Sequence, residues 1–121
     1  MSKKEIEKYI PTALQVLQDE FSSGKIPSAY NGYISSFGAS ITQSGLLPTL
    51  ALFENKNANT KEDKEYLTKI ILKVLDKDSS HDSLLHYVLD DKRDQEYLKK
   101  KIVSISVAIK LSLRTFQLQR L

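Results

Sequence analysis

At 121 residues, 40% hydrophobic and 27% charged, the chain can bury roughly two thirds of its unfolded surface in one core, and a second domain does not fit. It has no cysteine, which excludes disulfides and thiolate metal sites and points to an intracellular setting. The net charge of +3 is unevenly spread: residues 61–98 hold seven basic and ten acidic side chains, whereas residues 99–121 hold six basic and none acidic.

The first residues, Met1-Ser2-Lys3-Lys4-Glu5, lead into an amphipathic pattern and not into an apolar signal segment. Ser2 followed by Glu5 is a capping-box signal, and Ile6, Ile10, Leu14, Leu17 and Phe21 recur at helical spacing, predicting a helix from about 3 to 22. Pro11 sits inside that pattern and should kink it. Ser22-Ser23-Gly24 breaks the chain, and Pro27 opens a second helix.

Residues 26–53 form a run of 28 without a single charge, which marks buried or contacted surface. Its serines, Asn31, Gln43 and two prolines disqualify it as a membrane span. Tyr30, Tyr33, Ile34, Phe37 and Ile41 fall on one helical face, while Asn31, Ser35, Gly38, Ala39 and Thr42 are small groups that admit another backbone. Gly45 ends this helix, and Pro48 suits the first turn of a short apolar helix, Leu47 to Phe53. The stretch Ala39 to Asn55 has the outline of a helix-turn-helix. Its second helix, however, lacks the Arg, Asn or Gln that base edges require, so core packing is the preferred reading.

Glu54 to Lys64 reads as a mobile surface loop. Thr60 with Asp63 caps a fourth helix with core face Leu67, Ile70, Ile71 and Val74. Ser79 or Ser80 caps a fifth carrying Leu84, Leu85, Val88 and Leu89, and Asp90-Asp91 caps the last. In that last segment Ile105 to Leu113 alternates apolar and polar residues as a strand does. It fits equally a helix with two apolar stripes, one of Leu98, Ile102, Ile105, Ile109 and Phe116, the other of Val107, Leu111 and Leu118. No other segment offers a strand partner, so one long helix from about 91 to 119 is expected. The fold class is therefore all-α, a single-domain bundle of about six helices spanning residues 1–121.

Little catalytic chemistry is visible. His81 and His86 do not face one ligand, and Asp82 with His86 reads as a surface i, i+4 pair. There is no nucleophile with an evident base, no phosphate loop and no carboxylate cluster outside helix ends, so no catalytic, metal or cofactor site is expected. The basic end differs. On a helix, Lys92, Lys99, Lys110, Arg114 and Gln117 lie within about 40° of one direction, interrupted by Glu96. Lys99 to Arg114 spans about 22 Å, enough to track several phosphates. The competing reading is a solvated helix face, which is also how Lys100, Lys101 and Arg120, off the stripe, are read.

The aromatic helix Tyr30 to Gln43, the Gly45-Leu46 turn and Thr49-Leu50-Ala51-Leu52-Phe53, followed by Asp94, Tyr97 and Leu113-Arg114-Thr115-Phe116, resemble one known family. It is the small α-helical subunit of the type III-B (Cmr) RNA-guided CRISPR effector complex, and the resemblance covers nearly the whole chain. Many members have a Trp in the final segment; this chain has none. The resemblance implies a non-catalytic, cytoplasmic subunit in antiviral defence, stacked in several copies with other Cmr subunits. It would hold guide RNA and target RNA by backbone charge through Lys99, Lys110 and Arg114, leaving sequence to base pairing. Two alternatives stand beside it. One is a pure assembly module, in which the acidic segment Asp76 to Glu96 of one copy meets the basic end of the next; the other is the equivalent subunit of a type III-A complex.

Overall fold

Helix α1 (Lys3–Glu20) begins at the cap its sequence supplies, with the Glu5 N–H donating to the Ser2 hydroxyl at 3.2 Å. In this computed structural model, which describes residues 2–55 and 61–119, the helix runs through Pro11 as one element. Pro11 and Glu7, whose carbonyl loses its usual donor, both lie on the solvent side, where water can satisfy that group. The buried face of α1 is Tyr9, Ala13, Val16 and Leu17, rotated from the expected stripe; Ile6, Ile10 and Phe21 pack at its margin. Small Ala13 at the centre lets a neighbouring helix approach.

Strand β1 (Lys25–Pro27) follows, so Pro27 closes a short extended segment and does not open helix α2 (Ala29–Ser44). Tyr30, Ile34, Phe37 and Ile41 are buried as their spacing predicts, with Tyr33 half-buried. Gly45, at φ +95°, ends α2, a conformation that side chains rarely adopt, and its N–H still reaches the Ile41 carbonyl. Helix α3 (Leu46–Phe53) folds back on α2. Phe53 meets Phe37 edge-to-face at 5.2 Å, and the buried Thr49 hydroxyl is satisfied by Ser40 at 2.7 Å.

Helix α4 (Lys61–Leu75) buries Leu67, Ile70, Ile71 and Val74 as expected, with Leu72 and Thr68 beside them. The proposed Thr60 cap lies outside the described residues, as do residues 56–60 of the expected Glu54–Lys64 loop, and the loop's expected end is corrected, since Lys61 to Lys64 already belong to α4. Helix α5 (Leu84–Asp90) is capped by Ser83, whose hydroxyl accepts the His86 N–H at 3.1 Å, and not by Ser79 or Ser80. It buries Leu84 and Val88 but leaves Leu89 57% exposed, against expectation. Helix α6 (Gln95–Leu113) is capped by Asp94 rather than Asp90-Asp91, since Asp90 binds His81 and Asp91 binds Arg93.

Ile105 to Leu113 is helical, as argued from its lack of a partner. The expected continuation to residue 119 is corrected: the helix stops at Leu113, and Gln117–Gln119 forms strand β2, parallel to β1 with Ile26 opposite Leu118. Extended pairing thus occurs where a partner exists, and Pro27 at the strand end sacrifices little by lacking an N–H. The bundle, with its six helices and long C-terminal helix, is all-α apart from this three-residue ladder among the described residues.

Helix α6 is the centre of the bundle, contacted by α1, α2 and α4. Besides Leu98, Ile102, Ile105 and Ile109 it buries Ser104, Ser106, Ala108 and Ser112, small residues that let three helices close around it. At Gly38 even an added Cβ would stand 3.7 Å from the Ser106 hydroxyl, so α2 and α6 meet closely there. Helices α1 and α6 run the same way. Their first turns line one cleft, and the chains leaving them pair in parallel as β1 and β2.

Candidate functional site

Burial by three helices leaves α6 one exposed strip, and the geometry of that strip follows from 100° per residue. Glu96, Lys100, Val107, Leu111 and Arg114 lie along its middle, with Leu111 38% exposed. Lys99 and Lys110, both half-buried, lie on the flank toward α2, about 16 Å apart along the axis. Arg114 stands one residue past the helix in helical conformation, φ −66° and ψ −17°, so it continues the same line. The structure thus brings Lys99, Lys110 and Arg114 onto one side of a rigid rod. Lys92 is not with them, because the backbone at Asp91 is extended and α6 starts after it. The side chain of Gln117 lies outside the described residues.

The ion pairs among the described residues are Lys73–Glu20, His81–Asp90 and Arg93–Asp91. Lys99, Lys110 and Arg114 therefore have no carboxylate partner there, and the uncharged α2 beside Lys99 and Lys110 offers none. The second apolar stripe is also partly visible: Val107 is half-buried and Leu111 exposed, while Leu118 lies outside the described side chains. On α3, Leu52 is 54% exposed. Uncharged exposed surface from α2 thus adjoins the cationic line.

On the other flank of the strip lies a feature that sequence reasoning missed. A cleft of about 310 Å³ is lined by Ser2, Glu5 and Lys8 of α1 and by Tyr97, Lys100, Lys101 and Ser104 of α6. The Tyr97 ring is 47% exposed, with the Lys101 ammonium 5.1 Å and the Arg93 guanidinium 5.4 Å from its centre. A hydrogen bond from Lys101 and the charge of that ammonium, helped by Arg93, hold the Tyr97 hydroxyl below its ordinary range. Lys100 and Lys101 have the sequence signature of a solvated helix. Their approach to Lys8 depends on α1 and α6 running parallel, which no local pattern encodes.

Ser79, His81 and Asp90 form a chain in which the Ser79 hydroxyl is 3.0 Å from His81 Nδ1 and Asp90 is 3.0 Å from Nε2. The Ser79 oxygen also accepts the His81 N–H at 3.1 Å, and the ring rests edge-on against Tyr87. This is a tie between the loop and the end of α5. The expected Asp82–His86 pair does not form, because Asp82 precedes the helix and the i, i+4 spacing does not apply. No group of three or more metal-ligating side chains occurs among the described residues, and no helix there is long and apolar enough to cross a membrane.

The chain is an all-α bundle whose central helix bares one cationic strip, the architecture of a small helical domain. Residues 5–110 match the family model of the CRISPR-associated protein Cas_Cmr5, so the chain belongs to that family, the small subunit of the Cmr complex. Searches of curated proteins and of solved structures found no match. The resemblance to that family is thereby borne out over a span that includes Tyr30 to Phe53, Asp94 and Tyr97, while Leu113 to Phe116 lie beyond the matched residues; the family implies other Cmr subunits as partners.

Proposed function

We propose that this chain is a non-catalytic, single-domain small subunit of a type III-B Cmr ribonucleoprotein, acting in the cytoplasm in antiviral defence. Several copies stack along the complex and contact the backbone of guide and target RNA. The observation that carries the RNA contact is the line of Lys99, Lys110 and Arg114 on the exposed strip of α6, without carboxylate partners among the described residues. Unpaired cations on a rigid helix suit phosphates at successive positions and read no bases, so sequence is left to the pairing of the two RNAs. The match to a Cmr family supports type III-B over the related type III-A assembly.

A second reading, assembly without RNA contact, is favoured by one observation: Val107 and Leu111 share the strip with the cations, and apolar groups there suit a protein neighbour. Salt dependence separates the two. If phosphates are neutralised, log K for single-stranded RNA should fall with log salt at about −0.7 per contact, and three contacts give a slope near −2. Lys110→Ala with Arg114→Ala should weaken binding to all sequences alike and flatten the slope by about 1.4. An unchanged slope in a folded double variant, with salt-sensitive self-association, would favour assembly alone.

A further inference from the structure

The cleft between the first turns of α1 and α6 contains an exposed aromatic ring among lysines that have no carboxylate partner among the described residues. We infer that it is a second contact point for single-stranded RNA, one that takes a phosphate on Lys100, Lys101 and Lys8 and stacks the adjoining base on Tyr97. This rests on the RNA reading above and adds a site on the opposite flank of the strip. It lies about 20 Å along α6 from Arg114, measured from Lys101.

The chemistry is set by how each cation is held. Arg93 is fixed by Asp91, which accepts both its backbone N–H at 2.8 Å and its side-chain Nε–H at 2.9 Å. It therefore stays beside the Tyr97 ring as a fixed support. Lys101 has no such carboxylate within ion-pairing distance; its ammonium rests on the ring and on the Tyr97 hydroxyl. A flexible arm held by an exposed tyrosine, with no carboxylate in ion-pairing contact, can swing to a phosphate, freeing a ring face for a base. Lys100 and Lys8, both exposed, approach the same cleft from two helices. A cleft of about 310 Å³ has room for a nucleotide's planar base or its phosphate at the mouth, not for a folded domain.

Single-stranded RNA fits this pairing of features better than an acidic peptide does. Bases alternate with phosphates along the strand, so ring and ammonium are used together. An acidic peptide would use the lysines and leave the ring idle, and Glu5 in the same cleft opposes either anion alike, so the ring is what separates the two.

The experiment measures binding of a fluorescently labelled single-stranded uridine oligonucleotide to the full chain, at several salt concentrations, with circular dichroism of each variant. Tyr97→Ala should weaken binding about tenfold while Tyr97→Phe, which keeps the ring, stays near the parent. Lys100→Ala with Lys101→Ala should flatten the salt slope by about 1.4. A 5-bromouridine strand irradiated on the protein should cross-link at Tyr97. The proposal is overturned if these folded variants bind like the parent while Lys110→Ala with Arg114→Ala does not; the RNA reading then survives without the cleft. A polyglutamate peptide that displaces the strand from the parent and binds equally well to Tyr97→Ala makes the cleft a protein site and also overturns it. If the parent binds no RNA at any salt, the RNA reading fails first and this inference falls with it.

Discussion

Of the six tyrosines in the chain, two have hydroxyls driven in opposite directions by what touches them. Burial pushes the Tyr66 hydroxyl up to about 12, aided by its 2.7 Å hydrogen bond to the Glu20 carboxylate and by that negative charge. Tyr97, exposed and beside Lys101, is held below its ordinary value. In an alkaline titration followed by phenolate absorbance, Tyr97 should ionise at lower pH than Tyr66. Tyr97→Phe should remove the lower of these two steps. If that step persists in Tyr97→Phe, the ring does not sit under Lys101 as described. The sign for stability follows from the folded value: the contribution of Tyr66 is present below its unfolded pKa near 10 and is lost as pH rises toward 12.

Among the elements, α5 shows how a short helix depends on its ends. Only Leu84 and Val88 are buried in its seven residues, too little apolar surface to hold it by packing alone. Its first turn is held instead from outside and within: the Ser83 hydroxyl accepts the His86 N–H, and the Glu54 carboxylate accepts the Leu85 N–H at 3.1 Å. Ser83→Ala should therefore cost about 1 kcal/mol in denaturant unfolding. Ser80→Ala, at one of the caps the sequence suggested, should cost much less. Equal losses would mean that Ser83 is not the working cap.

Across the whole molecule, two glutamates join helices and respond to acid in opposite senses. Burial pushes Glu20 up, but hydrogen bonds from Lys73 and Tyr66 and the charge of Lys73 outweigh it and hold the carboxyl below its ordinary value. That contribution, tying α1 to α4, is present above the unfolded pKa and lost as pH falls. Glu54 is the reverse. Burial pushes its carboxyl up beyond what the Leu85 N–H, Ser83 and Thr68 can offset, with the Glu65 charge adding to the rise. Its folded form holds the proton more tightly, so its contribution is present at low pH and lost as pH rises through the folded value. Glu20→Gln should lower stability at neutral pH by on the order of 1 kcal/mol and weaken the loss on acidification. Glu54→Gln should be tolerated at neutral pH and steepen net acid sensitivity. Unfolding free energies at several pH values check both signs; a Glu20→Gln variant as stable as the parent at neutral pH would remove the first.

Periodicity and turn chemistry read from the sequence determined much of this protein. The face Tyr30, Ile34, Phe37 and Ile41, the turn at Gly45 and the core of α4 follow from spacing and backbone sterics, which act over a few residues, whereas the alternating Ile105 to Leu113 is helical for want of a strand partner. The cationic line Lys99, Lys110 and Arg114 was legible from spacing too, since a helix fixes which residues share a side. Caps were harder, because several Ser and Asp compete in each loop and their other side-chain bonds decide which is free. Asp90 goes to His81, Asp91 to Arg93, and Asp94 is left to cap α6. The end of α6 and the strand role of Pro27 depend on two segments about ninety residues apart meeting as β1 and β2. The cleft around Tyr97 likewise exists only because α1 and α6 start side by side. Local sequence dictates which way a side chain faces on its own helix; the packing of whole helices decides which helix it faces.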